Sequence, residues 1–197
     1  MNNNAKVKVY VPVGVPGSGK STLAKYIAAT EEKNLAVFSS DKTRQRLFDE
    51  GIIKMAWDDS TNQIVFKQLY KDINSEIEHG GNVFLDATNI NVFIRKRIFE
   101  NLPKDKCQFI ACVLETNKEK CLERVAVRES SADCDHYLGD EHDLVIGKYI
   151  AQFEMPMQEE GFSEIRVYDM NKQNQIFTYL KESSKQPEDI LHNGGNI

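Results

Sequence analysis

Residues 9–27, VYVPVGVPGSGKSTLAKYI, contain the clearest chemical pattern in the chain. Gly14, Gly19, Lys20 and Ser21 satisfy the spacing G-x-x-x-x-G-K-[ST]. In this pattern the glycines let successive backbone N–H groups point at one phosphate chain. The segment follows an apolar run and precedes a helix-like one, and the N-terminus of a helix adds its dipole to an anion site. The residues therefore predict a phosphate-binding loop.

Each residue of this loop has an expected role. Backbone donors to the phosphates should come from four consecutive residues: Gly17, Ser18, Gly19 and Lys20. The Lys20 ammonium should act in catalysis by reaching the β- and γ-phosphates, the Ser21 hydroxyl should hold Mg²⁺, and Thr22 should touch the α-phosphate. The expected cofactors are therefore a nucleoside triphosphate and Mg²⁺.

The guanine nucleotides are disfavoured as the bound triphosphate. A guanine-reading N-K-x-D motif would need an aspartate at position 120, but Asn117 and Lys118 are followed there by Lys120. No D-x-x-G follows the third predicted strand. We therefore expect ATP rather than GTP, although the loop alone does not separate a kinase from a motor or switch ATPase.

The segment SSDKTRQRLF, after the second predicted strand, supplies candidates for the acceptor side of a transfer reaction. Asp41 and Arg44 are one helical turn apart. A carboxylate could accept the proton of an attacking hydroxyl, and an arginine could bind an acceptor phosphate. The alternative is that Asp41 only caps a helix.

The segment FLDATNINVFIRKR, after the third predicted strand, offers a second polar group. Asp86, Thr88 and Asn89 should lie at the carboxyl edge of the sheet, where ligands of open α/β folds bind, and we expect them to contact the substrate. The basic run 95–97 follows, with Lys96 expected on a solvated face. The alternative is an ordinary Asp/Asn helix start.

The segment NKEKCLERVAVRES follows the fourth predicted strand and is rich in cations. Lys120, Arg124 and Arg128 are spaced by four, hence on one helix face. Like charges stacked in this way favour binding of an anion, and a triphosphate fits. Arg128 is the candidate for a mobile arginine finger that stabilises the transferring phosphoryl group.

Short β-like runs alternate with helical periods, which is typical of an α/β fold with a parallel sheet covered by helices on both faces. The predicted strands are Lys6–Val11, Leu35–Phe38, Asn82–Leu85, Gln108–Leu114 and Glu164–Tyr168. The first strand is ended at Val11 because Pro12 lacks an N–H; either Pro12 occupies a position whose N–H would face no neighbour, or the strand frays.

Two helices are predicted with particular detail. One runs from about Thr61 to Glu78: Ser60 and Gln63 match a capping box, and Gly80-Gly81 ends it. Its core stripe is spaced by four: Val65, Leu69, Ile73 and Ile77. A last helix is predicted near Gln175–Lys181.

Length and composition favour one globular domain, because 197 residues with 41% hydrophobic side chains suffice for one core. The formal charge of −5 argues mildly against a protein that coats nucleic acid. The four cysteines form no C-x-x-C pair, MNNNAKVKV lacks a signal-peptide core, and no apolar run suggests a membrane span. We expect a reduced, cytoplasmic protein, with a domain over 1–183 and a disordered tail over 184–197.

Residues 7–168 resemble the P-loop kinases typified by phage-type polynucleotide 5′-hydroxyl kinase. The resemblance rests on GVPGSGKST, SDKTRQ, DATNINVFIRKR, LERVAVR and FEMPMQEEGFSEIRVYD. It implies a three-layer P-loop sandwich with strand order 2-3-1-4-5 and a helical lid at about 124–143. It also implies Asp41 as general base, Arg44 as contact to the phosphate beside the acceptor hydroxyl, and Arg128 with Arg124 as catalytic lid contacts to ATP.

The expected activity is transfer of the γ-phosphate of ATP to a hydroxyl, most simply the 5′-hydroxyl of a nucleic acid. No D-x-D-G-T phosphatase motif accompanies it. A small-molecule kinase acting on a nucleoside or sugar is the first alternative, since the lid region is acidic: Asp133, Asp135, Asp140, Glu141 and Asp143. A nucleotide-dependent switch or ATPase without an acceptor is the second.

Overall fold

Six strands form one sheet in the computed structural model, which describes residues 6–129, 141–171 and 177–180. The strands are β1 (Val7–Val13), β2 (Ala36–Ser39), β3 (Val83–Asp86), β4 (Cys107–Glu115), β5 (Glu164–Asp169) and β6 (Phe177–Leu180). They lie in the order β2-β3-β1-β4-β5-β6. The first five are parallel and β6 is antiparallel to β5, so the predicted order 2-3-1-4-5 is confirmed.

Helices cover both faces of this sheet. They are α1 (Lys20–Thr30), α2 (Ser40–Asp49), α3 (Asp59–Glu78), α4 (Val92–Asn101), α5 (Lys118–Glu129) and α6 (His142–Ala151), with a 3₁₀ turn at Gln158–Glu160. α3 and α4 pack on the face that carries Val9 and Val11, and α1 packs on the opposite face with Tyr10. None of the helices in the described ranges is long and apolar enough to cross a membrane.

The α3 helix has the predicted buried stripe and a different N-terminus. All four stripe residues are buried: Val65, Leu69, Ile73 and Ile77. The predicted capping box of Ser60 and Gln63 is wrong, because the helix starts earlier and Asp58 is its N-cap, accepting from the backbone N–H of Thr61 at 2.8 Å. The Ser60 hydroxyl instead donates to Asp58. The chain leaves the helix at Gly80, whose φ is 79°.

Strand β1 runs through Pro12 to Val13, so the predicted end at Val11 is wrong. Pro12 pairs in register with Cys112 of β4, while β3 pairs with β1 only at Val9 and Tyr10. The Pro12 carbonyl accepts from the side-chain amide of Asn89, which lies beyond the end of β3. In a strand the N–H and C=O of one residue point to the same side, so the missing N–H faces the β3 side, where the pairing of β1 with β3 has already stopped at Tyr10.

The C-terminal part differs from the prediction. β6 occupies Phe177–Leu180 and pairs with β5, so the helix predicted near Gln175–Lys181 is wrong. As a strand, residues 177–180 form backbone hydrogen bonds with β5. A short isolated helix in the same place would be marginally stable, because helix nucleation is unfavourable. The middle of the predicted lid and the predicted disordered tail over 184–197 lie outside the described residues.

Candidate active site

The phosphate-loop segment links the end of β1 to α1 and depends on its glycines. Gly17 has φ 78° and Gly19 has φ 102°, a region that side chains other than glycine rarely adopt. A Cβ on Gly17 would also lie 2.3 Å from the carbonyl oxygen of Cys121 in α5. Helix α1 begins at Lys20, and its first N–H groups lack partners within the helix. The backbone therefore has the form that the sequence pattern predicts for an anion site.

Lys20 lies at the centre of this loop. Its Nζ donates to the carbonyl oxygens of Val15 at 3.0 Å and Gly14 at 3.2 Å. Burial lowers the pKa of Lys20, and the charges of Asp86 and Asp41 act in the opposite direction. Arg128 lowers the Lys20 pKa further. Residues at the ends of β3, α2 and α5 thus act on one ammonium group in the tertiary structure. An anion bound beside this group would favour the charged form of Lys20.

Ser21 and Asp86 form the best candidate for a metal-binding pair. The Ser21 hydroxyl donates to the Asp86 carboxylate at 2.9 Å, and Asp86 is the last residue of β3, the strand beside β1. A loop serine and a strand-end aspartate are the Mg²⁺ ligands of P-loop NTPases. Hard oxygen donors of this kind fit Mg²⁺, which keeps several waters and also binds phosphate. Within the described ranges no cluster of three His, Cys, Asp or Glu side chains could hold a metal by itself.

The other two predicted substrate contacts after β3 differ from each other. Asn89 is buried, and its amide nitrogen donates to the carbonyl oxygens of Pro12 at 2.9 Å and Ala87 at 3.0 Å. Thr88 is half-buried, and its hydroxyl has no hydrogen-bond partner in the described part of the chain. Asn89 therefore holds the backbone of this loop, and Thr88 is the side chain available for a ligand.

Arg95 is a buried support of the same loop. Its Nε and Nη2 donate to the Glu160 carboxylate at 2.7 and 2.8 Å, and Nη1 donates to the carbonyls of Asn89 and Glu154. The side chain is 0% exposed, so it cannot contact a substrate. Lys96, in contrast, is exposed as predicted. Spacing did not reveal the Arg95–Glu160 pair, because 65 residues separate the two.

Helix α5 carries the two predicted catalytic arginines in different environments. Arg124 donates to the carbonyl oxygens of Met170 at 2.7 Å and Gly17 at 3.3 Å, so it ties the loop to the end of β5. Arg128 lies one turn further, is half-buried and acts electrostatically on Lys20. In this arrangement Arg124 positions the loop backbone, and Arg128 is the arginine whose charge acts on Lys20.

Asp41 lies in the first turn of α2 without being the cap of that helix. The N-cap is Ser39, whose hydroxyl accepts from the backbone N–H of Lys42 at 3.4 Å. The charge of Asp41 acts on Lys20, on Arg44 and on Tyr149 of α6. Burial raises the pKa of Tyr149, and Asp41 raises it further. The predicted base is thus near the phosphate loop, and Tyr149 is a neighbour that the sequence did not reveal.

Arg44 is covered rather than open to a ligand. Only 3% of the residue is exposed, Nη1 donates to the Ala56 carbonyl at 2.7 Å, and Nη2 donates to Asn62. Its Cζ lies 4.1 Å from the centroid of the Trp57 ring. Burial lowers the pKa of Arg44, opposed by Asp41 and Asp58. The Arg44 guanidinium is therefore bonded within the protein, and its contact with an acceptor phosphate stays a prediction.

The sheet order and the phosphate loop together define a P-loop NTPase-like α/β fold. The chain belongs to the AAA_33 family: residues 9–154 match the model of that family, which describes an AAA domain. A search of curated proteins found no match.

Solved structures share the fold at low sequence identity. A Chloroflexus aurantiacus J-10-fl protein, provisionally described as a kinase, is 18% identical with a TM-score of 0.64, over 87% of this chain and 92% of its own. A chain of the Pnkp1/Rnl/Hen1 RNA repair complex is 21% identical with a TM-score of 0.57, over 78% of this chain. This chain spans 49% of that protein. A gluconokinase from Sinorhizobium meliloti 1021 is 17% identical with a TM-score of 0.53, over 93% and 87%.

Proposed function

We propose that this protein is an ATP- and Mg²⁺-dependent kinase that transfers the γ-phosphate to the 5′-hydroxyl of a polynucleotide or oligonucleotide. The observation that carries this proposal is the position of Asp41 in the first turn of α2, directly after β2 at the carboxyl edge of the sheet, where its charge acts on Lys20. A carboxylate beside the lysine that binds the β- and γ-phosphates is placed to accept the proton of an attacking hydroxyl.

The residues around the loop would have different roles in such a transfer. The backbone N–H groups of residues 17–20 bind the phosphates, and Lys20 neutralises the charge of the transferred group. Ser21 and Asp86 would hold Mg²⁺, which would supply charge neutralisation for the bound phosphates. Arg128 stabilises charge that develops in the transition state, and Arg124 keeps the loop in place.

Support for a nucleic-acid acceptor comes from two sources. The segments SDKTRQ and DATNINVFIRKR resemble those of polynucleotide 5′-hydroxyl kinases. One structural neighbour belongs to an RNA repair complex. The gluconokinase neighbour favours the alternative, a small-molecule kinase acting on a nucleoside or sugar. Both proposals share the nucleotide half of the site and differ only in the acceptor.

A radiolabelled ATP transfer screen tests the acceptor. It compares 5′-hydroxyl DNA and RNA oligonucleotides, nucleosides, 3′-nucleotides, gluconate and simple sugars, with 5′-phosphorylated oligonucleotides as matched controls. Label should appear on the 5′-hydroxyl oligonucleotides and not on their 5′-phosphorylated forms. Label on sugars alone would replace the polynucleotide proposal with the small-molecule alternative. ATP hydrolysis without labelling of any acceptor would favour the ATPase or switch.

The variant Asp41→Asn tests the base. Because Asp41 serves the acceptor hydroxyl, transfer should fall by roughly 10²- to 10⁴-fold while ATP affinity is kept. Single-turnover transfer and calorimetric ATP binding measure the two quantities. Asp49→Asn, at the other end of the same helix, is the control and should behave as the wild type. Unchanged transfer in Asp41→Asn would place the base elsewhere.

A further inference from the structure

The connection between α2 and α3, residues 50–58, lies in a region rich in exposed apolar side chains. Large apolar residues that are more than 40% exposed cluster along this part of the chain: Phe48, Ile52, Met55, Trp57 and Ile64. Exposed apolar surface of this kind often marks a binding site. The proposed transfer reaction assigns no role to any of these residues.

Trp57 differs from the other four because its ring is held in place. The Arg44 guanidinium lies 4.1 Å from the ring centroid, and Arg44 is itself fixed by the Ala56 carbonyl and by Asn62. Half of the Trp57 residue nevertheless remains exposed. A large planar aromatic group that is both oriented and exposed is suited to stacking on another planar group.

A second observation links Trp57 to the reaction centre. Arg44 follows Asp41 by three residues on α2, so the two side chains are neighbours about 5–6 Å apart at Cβ. Each also acts electrostatically on the other. Asp41, Arg44 and Trp57 therefore form one row of neighbouring side chains. An acceptor whose hydroxyl lies at Asp41 would meet the Trp57 ring if it extended along this row.

The Arg44 guanidinium also carries an unused polar atom. Its Nε is buried and has no hydrogen-bond partner among the described residues, although Nη1 and Nη2 are both bonded. A buried donor without a partner is costly, so its retention needs a reason. Backing the indole with a cation supplies one, because the guanidinium fixes the orientation of the Trp57 ring.

We propose that Trp57 stacks on the aromatic base of the nucleotide whose hydroxyl is phosphorylated, with Arg44 as the positioning residue behind it. This rests on the proposed function and sharpens it, since the substrate must then carry a base close to the reacting hydroxyl. Base–aromatic stacking is sequence-tolerant because every base has a π-face. The protein should therefore discriminate base-bearing acceptors from sugars without reading the identity of the base.

Intrinsic fluorescence tests the stacking without any turnover, because Trp57 is the only tryptophan in the chain. The wild-type protein is titrated with a 5′-hydroxyl dinucleotide and with the same molecule carrying a 5′-terminal abasic residue. Saturable quenching or a spectral shift should appear with the base-bearing compound alone. An equal response to both compounds, or none to either, would overturn the proposal. Quenching together with a failed transfer screen would refute the kinase and not the stacking site.

Substitution tests the same site through kinetics. Trp57→Ala should raise KM for base-bearing 5′ ends about 5- to 150-fold with little change in kcat, and Trp57→Phe should recover most of the loss. On abasic 5′ ends Trp57→Ala should match the wild type. An equal rise on both acceptors, or no rise on either, would contradict base stacking. Bound ATP, measured calorimetrically, shows that the variant is folded.

A matched control exists on α4. Phe93 is also an exposed aromatic ring over a guanidinium, with Arg97 Cζ 4.7 Å from its centroid, but it is not part of the Asp41–Arg44–Trp57 row. Phe93→Ala should leave the KM for both acceptors unchanged. If Phe93→Ala raised KM as much as Trp57→Ala does, the effect would come from a general loss of aromatic surface. That outcome would contradict a specific role of Trp57.

Discussion

On the proposed nucleotide side of the site the chain is held by backbone contacts, whereas on the proposed acceptor side it is held by contacts between side chains. Gly17 packs against the Cys121 carbonyl, and Arg124 donates to the carbonyls of Gly17 and Met170. Across the site, Arg44 is fixed between Trp57 and Asn62. A close backbone contact restricts which residues fit at a position, because an added side chain would collide with the backbone. A contact between two side chains can be replaced by substituting both residues.

For the proposed kinase, this difference would allow the same phosphate loop to be combined with different acceptors. The loop needs glycines at positive φ and a lysine, whichever hydroxyl is phosphorylated. The α2–α3 connection makes no such demand, so its side chains can vary with the substrate.

The largest expected effect lies on the nucleotide side. Lys20→Ala should lower transfer by roughly a thousandfold or more on every acceptor alike, because the proposed role of Lys20 is to bind the phosphates of ATP, the donor for every acceptor. The stability to urea should change little, since the half-buried Lys20 belongs to none of the hydrophobic clusters. Transfer to several acceptors and urea unfolding measure the two. A loss of transfer confined to one acceptor would contradict the proposed separation of the nucleotide side from the acceptor side.

The second effect compares two glycines at similar φ. Gly17→Ala should abolish measurable ATP binding, because the new Cβ would lie 2.3 Å from the Cys121 oxygen and the loop would have to move. Gly51 has φ 70°, and a Cβ added there would meet no heavy atom within 4 Å, so Gly51→Ala should cost only the backbone strain of about 1–2 kcal/mol. Calorimetry with ATP and urea unfolding check both. Equal ATP binding in the two variants would contradict the steric argument.

The smallest effect concerns the acceptor side and pH. The Ser60 hydroxyl and the Thr61 N–H, which donate to the carboxylate, lower the pKa of Asp58 to about 2. A lowered pKa contributes stability above the ordinary value near 3.8, and this contribution is lost as pH falls from about 4 towards 2. Asp58→Asn keeps a capping oxygen but does not titrate, so its unfolding free energy should fall less over that interval.

Urea unfolding at pH 6, 4 and 2.5 measures this difference. Asp59→Asn is the control, because Asp59 lies in the first turn of α3 and is not the cap. It should lose stability with acid as the wild type does. Parallel acid curves for wild type and Asp58→Asn would show that the cap of α3 does not depend on the charge of Asp58.

Local patterns predicted the elements that repeat or that a motif defines. The parallel strands and the α3 stripe were predicted because buried strands and amphipathic helices leave a period in the sequence. The predictions were wrong where a single residue or a contact with a distant segment determines the element. The examples are the cap at Asp58, the continuation of β1 through Pro12, and the strand β6. In each case the deciding partner lies outside the window that a periodicity covers.

The site was predicted unevenly for the same reason. Lys20 and Ser21 were predicted from the loop motif, and Asp41 and Asp86 from their positions at or after the ends of strands. The contact of Asp86 with Ser21 was unforeseen. Strand order makes that contact, because β3 lies beside β1. Arg44 was placed on the correct helix, but helical spacing does not show which neighbour covers a side chain.

The sequence by itself determined the phosphate loop, because glycine, lysine and serine at fixed spacing act through backbone conformations that few other residues permit. It also determined the alternation of strands and helices. Only the tertiary structure decided that Asp86 meets Ser21, that Arg95 is buried with Glu160, and that Arg44 supports Trp57. Those contacts join residues far apart in the chain, so packing of the whole domain determines them and no local pattern records them.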